Sequence, residues 1–199
     1  QFLETAIEAA KSAGQLLRDH YYKDKAVDAY EQYDIKLELD VMSQNIISEV
    51  ILNHFPKHSI IGEEGDNISE QSEYHWVVDP IDGTVNYFYG IPHFCVSIAL
   101  KKSENDEWVL GVIYDPMMDE VWAVAVGNKP TLNGKIINTS ERSKMSEAVV
   151  TIGFSKSKEA MDAGFERYKK ISTSVRKSRM MGSAALALAY IACGRLDAY

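Results

Sequence analysis

Two pairs of carboxylates follow short apolar runs in this chain. In WVVDPIDGTVNYFYGIPHFCVSIAL, residues 76–100, Asp79 and Asp82 flank Pro80 and Ile81 and lead into Gly83 and Thr84. Upstream, in SIIGEEG, Glu63 and Glu64 close the β-branched pair Ile60-Ile61, with Gly62 and Gly65 on either side. Val77 and Val78 read as a buried strand that Pro80 should end, because proline fixes φ and has no ladder donor. Acids at a strand end, beside free N–H groups where a helix begins near Thr84, can hold hard cations and a phosphate together. A lone D-P or D-G dipeptide reads first as a β-turn. The second acidic pair shifts the reading, since two neighbouring strands ending in acids crowd like charges unless a cation neutralises them.

The elements that must position these residues follow from periodicity. Leu3, Ile7, Ala10, Gly14 and Leu17 recur at three- and four-residue steps, which predicts an amphipathic helix over residues 2–22. Residues 23–33 are polar and tyrosine-bearing without a period, and read as an exposed loop or hairpin near the site mouth. Asp40 precedes a stripe of Ile46, Ile47, Val50, Ile51 and Phe55 that Pro56 ends, so alone it reads as a helix N-cap. Residues 67–74 read as a polar, acidic loop. Strands are expected over 94–101, 108–114 and 121–126, joined by short turns into an antiparallel meander, with a turn-rich piece at 127–134. Then come a strand in 145–155, a helix over 158–170, a strand-like patch at 171–175 and a small-residue helix over 182–193. The change from meander to alternating α and β divides the chain into an N-terminal α+β domain, 1–143, and the start of a C-terminal α/β domain, 144–199. His93, a single imidazole among aromatics, reads as packing or support rather than as a metal ligand.

Composition narrows the classes of function. With 199 residues and 46% hydrophobic content the chain can bury a large core. Its net charge of −8 disfavours nucleic-acid and membrane surfaces, which are polyanionic, so an anionic substrate must be drawn in by cations or local dipoles. No apolar run reaches the roughly eighteen residues that a membrane helix needs. Cys95 and Cys193, each inside an apolar run, read as reduced thiols and suit a cytoplasmic location.

IGEEG followed by DPIDGTVNYFYGIPHFCVSI resembles the inositol monophosphatase family of Mg²⁺-dependent, lithium-sensitive phosphatases, whose signature runs GEE, DPIDGTxNF and GxPxFxVSI. Weaker likeness extends from the first helix to GSAALALAYIACGRLDAY, so it covers essentially the whole chain. The resemblance implies a layered αβαβα sandwich of the inositol monophosphatase and fructose-1,6-bisphosphatase type, and a homodimer. It implies two or three Mg²⁺ ions, with Glu63, Asp79 and the Ile81 carbonyl on the first and Asp79 and Asp82 on the second. Glu63 would hold a third through water, with Glu64 behind it. Asp40, where the family shows a DLVTxAD-like approach and this chain has DIKLELD, would pair with Thr84, which orients and activates the attacking water. Gly83 and Thr84 N–H groups would cradle phosphate, and Gly182, Ser183 and Ala184 would meet the polyol. A further Asp, in a WDxA-like motif beyond Tyr199, would complete the second metal site, so the polypeptide is expected to continue there. The substrate implied is a small phosphorylated polyol, foremost myo-inositol monophosphate. Fructose 1,6-bisphosphate, histidinol phosphate and 3′-phosphoadenosine 5′-phosphate stay open, as does a metal-binding scaffold without activity.

Overall fold

Small side chains along one face let the first helix lie flat on a sheet. Helix α1 (Phe2–His20) buries Ala6, Ala9, Ala10, Ala13 and Leu17, and ends close to where its periodicity does. A computed structural model describes residues 1–23, 27–31, 34–65, 72–153 and 157–199. Strands β1 (Val27–Glu31) and β2 (Asp34–Leu37) pair antiparallel, while residues 24–26 and 32–33 of the expected loop or hairpin lie outside the described residues. Helix α2 (Glu38–His54) follows at once and packs beside α1, burying Ile47 and Ile51. Full burial of a side chain of this size is worth about 1.5–3 kcal/mol.

Strand β3 (Ser59–Gly62) runs parallel to β4 (Tyr74–Asp82), and the short helix α3 (Thr84–Phe88) follows. Next come β5 (Cys95–Lys102), β6 (Trp108–Asp115) and β7 (Glu120–Ala125), the antiparallel meander expected from the sequence. The turn-rich piece contains a small hairpin that composition alone hid, β8 (Thr131–Leu132) and β9 (Lys135–Ile136), joined by Asn133-Gly134. These strands form one sheet in the order β3-β4-β5-β6-β7-β8-β9. Along β4 and β5, Trp76, Val78, Val96, Ile98 and Leu100 point to the face covered by α1 and α2.

Strand β10 (Val149–Thr151) and strand β11 (Lys177–Arg179) pair in parallel, with helix α4 (Lys158–Ser172) between them in sequence. The second strand therefore lies at 177–179 and not at the 171–175 patch. Ile171 and Ser172 finish α4, whose N-cap is Ser157, and Ser174 and Val175 bond back to Ile171. Helix α5 (Ala184–Ala192) begins on the Ser183 cap and packs Leu186 and Ala189 against Cys95 and Trp122, on the sheet face opposite α1 and α2. The result is the layered α/β arrangement, with helices on both sides of a mixed sheet. Residues 67–71 of the expected acidic loop lie outside the described residues.

Candidate active site

The parallel register brings the two acidic pairs together. Ile61 faces Val77 and Gly62 faces Val78, so β3 and β4 deliver Glu63 and Asp79 at the same level, and Glu63 N–H bonds the Val78 carbonyl at 3.3 Å. β4 does not stop at Pro80. It runs to Asp82 through an irregularity in which Asp79 opposes Ser97 and Asp82 opposes Cys95, three steps on one strand against two on the other. Proline is tolerated there because the ladder is already interrupted. Asp79 Oδ1 accepts the Ile81 N–H at 3.1 Å, holding the turn that carries the Ile81 carbonyl. Gly83 then takes φ 102°, a left-handed conformation that aims the chain into α3.

One cavity of about 620 Å³ lies at this end of the sheet. Glu63, Asp79, Ile81, Asp82, Gly83 and Thr84 line one side, and Gly182, Ser183 and Ala184 line another. Ten of the residues singled out from sequence thus divide cleanly: nine reach the cavity lining, and Asp40 does not. Glu64, expected behind Glu63, is also absent from the lining; its N–H bonds Gln44 Oε1 at 2.9 Å. Val85, Asn86, Thr151, Ile152, Gly153, Met161, Met180 and Tyr199 complete the lining and took no role in the sequence reading.

The expected pairing of Asp40 with Thr84 takes a different form among the described contacts. Asp40 is buried in the first turn of α2, where its Oδ2 accepts the Leu37 N–H at 2.8 Å. Thr84 Oγ1 instead donates to the Ile81 carbonyl at 2.9 Å. The capping role that residue type alone suggested for Asp40 is met, three positions inside the helix rather than at its cap.

Asp82 is held on its far side. Its Oδ2 accepts Ser183 Oγ–H at 2.5 Å and Ala185 N–H at 2.7 Å, with Cys95 Sγ at 3.8 Å. Burial and the nearby Asp82 carboxylate push the Cys95 thiol well up, so it stays protonated. Asp79 carries the strongest signature. Burial, then Glu63, then Asp82, push its carboxyl up to about 8, the charge crowding expected of paired acids without a counter-charge. Burial lowers His93, in keeping with a neutral packing ring against Tyr190.

The donors fit Mg²⁺ by kind, being carboxylates and one backbone carbonyl. Among the described residues no group of three or more His, Cys, Asp or Glu side chains is arranged to hold an ion, although Glu63, Asp79 and Asp82 line one cavity. Two residues that support the site had gone without a role in the sequence reading. Gln44 on α2 ties down the GEEG turn, accepting Glu64 N–H and donating to the Gly65 carbonyl at 2.8 Å. Asn86 on α3 bonds the carbonyls of His93 and Met181. Its place two residues after Thr84 was visible, but its partners are set by tertiary approach.

The whole chain, residues 1–199, matches the Inositol monophosphatase family. It is 38% identical over 206 residues to inositol monophosphatase 2 of Solanum lycopersicum, covering 100% of this chain and 77% of that one. The Nus factor SuhB of Xylella fastidiosa is 35% identical over 196 residues, covering 97% of this chain and 70% of its own. Among solved structures, the extragenic suppressor protein suhB of Bartonella henselae superimposes with a TM-score of 0.93 at 31% identity, over 98% of this chain and 76% of that one. Fold and comparison together define a layered α/β phosphatase. The chain belongs to the inositol monophosphatase family.

Proposed function

We propose that this protein hydrolyses a small polyol phosphate, foremost myo-inositol monophosphate, with Mg²⁺. The observation that carries the reading is the single cavity that has Asp79, Asp82 and Glu63 on one side and Gly182, Ser183 and Ala184 on another. Glu63, Asp79, Asp82 and the Ile81 carbonyl would hold two or three Mg²⁺ ions. Bound there, the metal supplies charge neutralisation and an acidified water. Thr84 orients that water, with Asp40 behind it in the first turn of α2. Gly83 and Thr84 present backbone N–H groups to the phosphate. Helix α3 has only five residues, so those donors matter more than its dipole. Ser183 fixes Asp82 and, with Gly182 and Ala184, faces the alcohol. We further assign the metal-binding half to residues 1–143 and the alcohol-facing half to the domain that starts at 144.

The reading includes a homodimer, a cytoplasmic location and sensitivity to lithium, all on family likeness. Among the described residues no helix is long and apolar enough to cross a membrane. The test is phosphate release by the full-length protein with and without Mg²⁺. The panel comprises inositol 1-phosphate, fructose 1,6-bisphosphate, histidinol phosphate and 3′-phosphoadenosine 5′-phosphate. Inositol 1-phosphate is expected to give the highest kcat/KM. Release from none of them would favour a binding role without catalysis.

A further inference from the structure

The carboxamide of Asn86 ties its own segment to one that lies 95 residues further along the sequence. Its Nδ2 donates to the His93 carbonyl at 2.7 Å and to the Met181 carbonyl at 2.8 Å, so both amide hydrogens are used. Each neighbour is a carbonyl oxygen that can only accept, which fixes the nitrogen on that side. Asn86 lines the cavity, and the two carbonyls, just outside the lining, each back a segment that does line it. His93 lies against the phosphate side, since a Cβ on Gly83 would come within 3.1 Å of its oxygen. Met181 directly precedes Gly182 on the alcohol side. Gly182 has φ +82° and packs on the same amide, where a Cβ would lie 2.9 Å from Nδ2. Little else ties this loop down by apolar packing, as Met180 and Gly182 are exposed.

We propose that Asn86 is a positioning residue that sets the gap between the phosphate-holding turn and the loop that faces the alcohol, and so selects the size of alcohol accepted. The inference rests on the function proposed above and extends it. Only a side chain with two hydrogens on one short-armed atom can bond both carbonyls. Asp at this position would set acceptor against acceptor, and Ser would keep one link at most. Loosening the clasp leaves Glu63 and Asp79 in place, because the β3–β4 pairing sets them, and Asp82 keeps its own bonds from Ser183 and Ala185.

The test is Asn86→Asp in the full-length protein with Mg²⁺, assayed on inositol 1-phosphate and on ethyl phosphate, whose alcohol is too short to span the cavity. We expect KM for inositol 1-phosphate to rise about tenfold or more, KM for ethyl phosphate to stay within about twofold, and kcat for both within about threefold. A rise in KM by the same factor for both substrates, or for neither, overturns the clasp, as does a shared fall in kcat alone. Should Asn86→Asp fail to fold, Asn86→Ser, which keeps one link at most, must give the same split. If the wild-type protein does not turn over inositol 1-phosphate, the substrate reading falls. The clasp is then judged by hydrogen exchange at amides 180–185, which Asn86→Asp should speed about tenfold, whereas unchanged exchange overturns it.

Discussion

Ser183 Oγ donates to Asp82 Oδ2 at 2.5 Å across 101 residues of sequence, and the same oxygen accepts the Ala185 N–H. One lone pair of Ser183 also caps α5 by accepting from Leu186 N at 3.3 Å. Ser183→Ala removes both functions. It should lower stability by about 1–2 kcal/mol and kcat/KM by about tenfold, while Ser183→Thr restores most of each. Urea melts and initial rates on the three proteins decide it; Thr as harmful as Ala would mean that shape and not the hydroxyl matters.

A pH dependence follows from Asp79, whose carboxyl ionises near 3.8 in an open chain and at about 8 in the folded, metal-free protein. Between those values the folded state keeps a proton that the unfolded state has lost. Stability of the metal-free protein therefore falls as pH rises through this window and levels off above it. Asp79→Asn should flatten the slope and raise Tm at the alkaline end, yet weaken Mg²⁺ binding and leave less than about a tenth of kcat. Mg²⁺ competes with the proton, so its Tm gain should be larger near pH 8 than near pH 6. Thermal melts in chelator across this range check the claim, and a flat wild-type profile would refute it.

What the sequence disclosed and what it hid divide by distance along the chain. The acids at 63, 79 and 82 and the Gly83-Thr84 turn are legible because residue type and local spacing carry them. Pro80 misled, since a bulge had already broken the ladder it would have broken. The 171–175 patch misled because Ile171 and Val175 are apolar at a spacing that a helix end and its turn use as readily as a strand. The partners of Gln44 and Asn86 depend on which segments meet, and no local rule encodes that.

Thr84 gives up its hydroxyl hydrogen to the Ile81 carbonyl at 2.9 Å. If that hydroxyl positions the attacking water in the working enzyme, Thr84→Ala should reduce kcat by about 10²- to 10⁴-fold with Mg²⁺ affinity nearly unchanged. Calorimetry alongside steady-state rates separates the roles. Lost Mg²⁺ binding with kcat intact at high metal would make Thr84 a brace for the turn.

Away from the cavity, Arg195 forks onto Glu120 at 2.6 and 2.5 Å and lies over Trp122 and Tyr190, pinning the turn after α5 to β7. Arg195→Lys keeps the charge and loses the fork. With Arg195 partly exposed, the expected loss is about 1 kcal/mol, with kcat unaffected. A double-mutant cycle with Glu120→Gln should return a coupling of similar size; zero coupling would show that ring packing alone holds the turn.

The side-by-side placement of β3 and β4 gives the site a history as well as a shape. Glu63, Asp79, Asp82 and the turn that follows come from residues 63–84, whereas the donors from α5 that settle Asp82 come from residues 183 and 185. At about 5–20 residues per second, synthesis separates the two by roughly 5–20 s. Until α5 is made, the clustered acids must be neutralised from solution, by protons or by divalent cations. Refolding from urea should accordingly run faster with Mg²⁺ than with chelator, and equal rates would count against this. If refolding does run faster with Mg²⁺, the ion serves folding before hydrolysis, and a cell poor in it would lose the protein during its making and not only during its work.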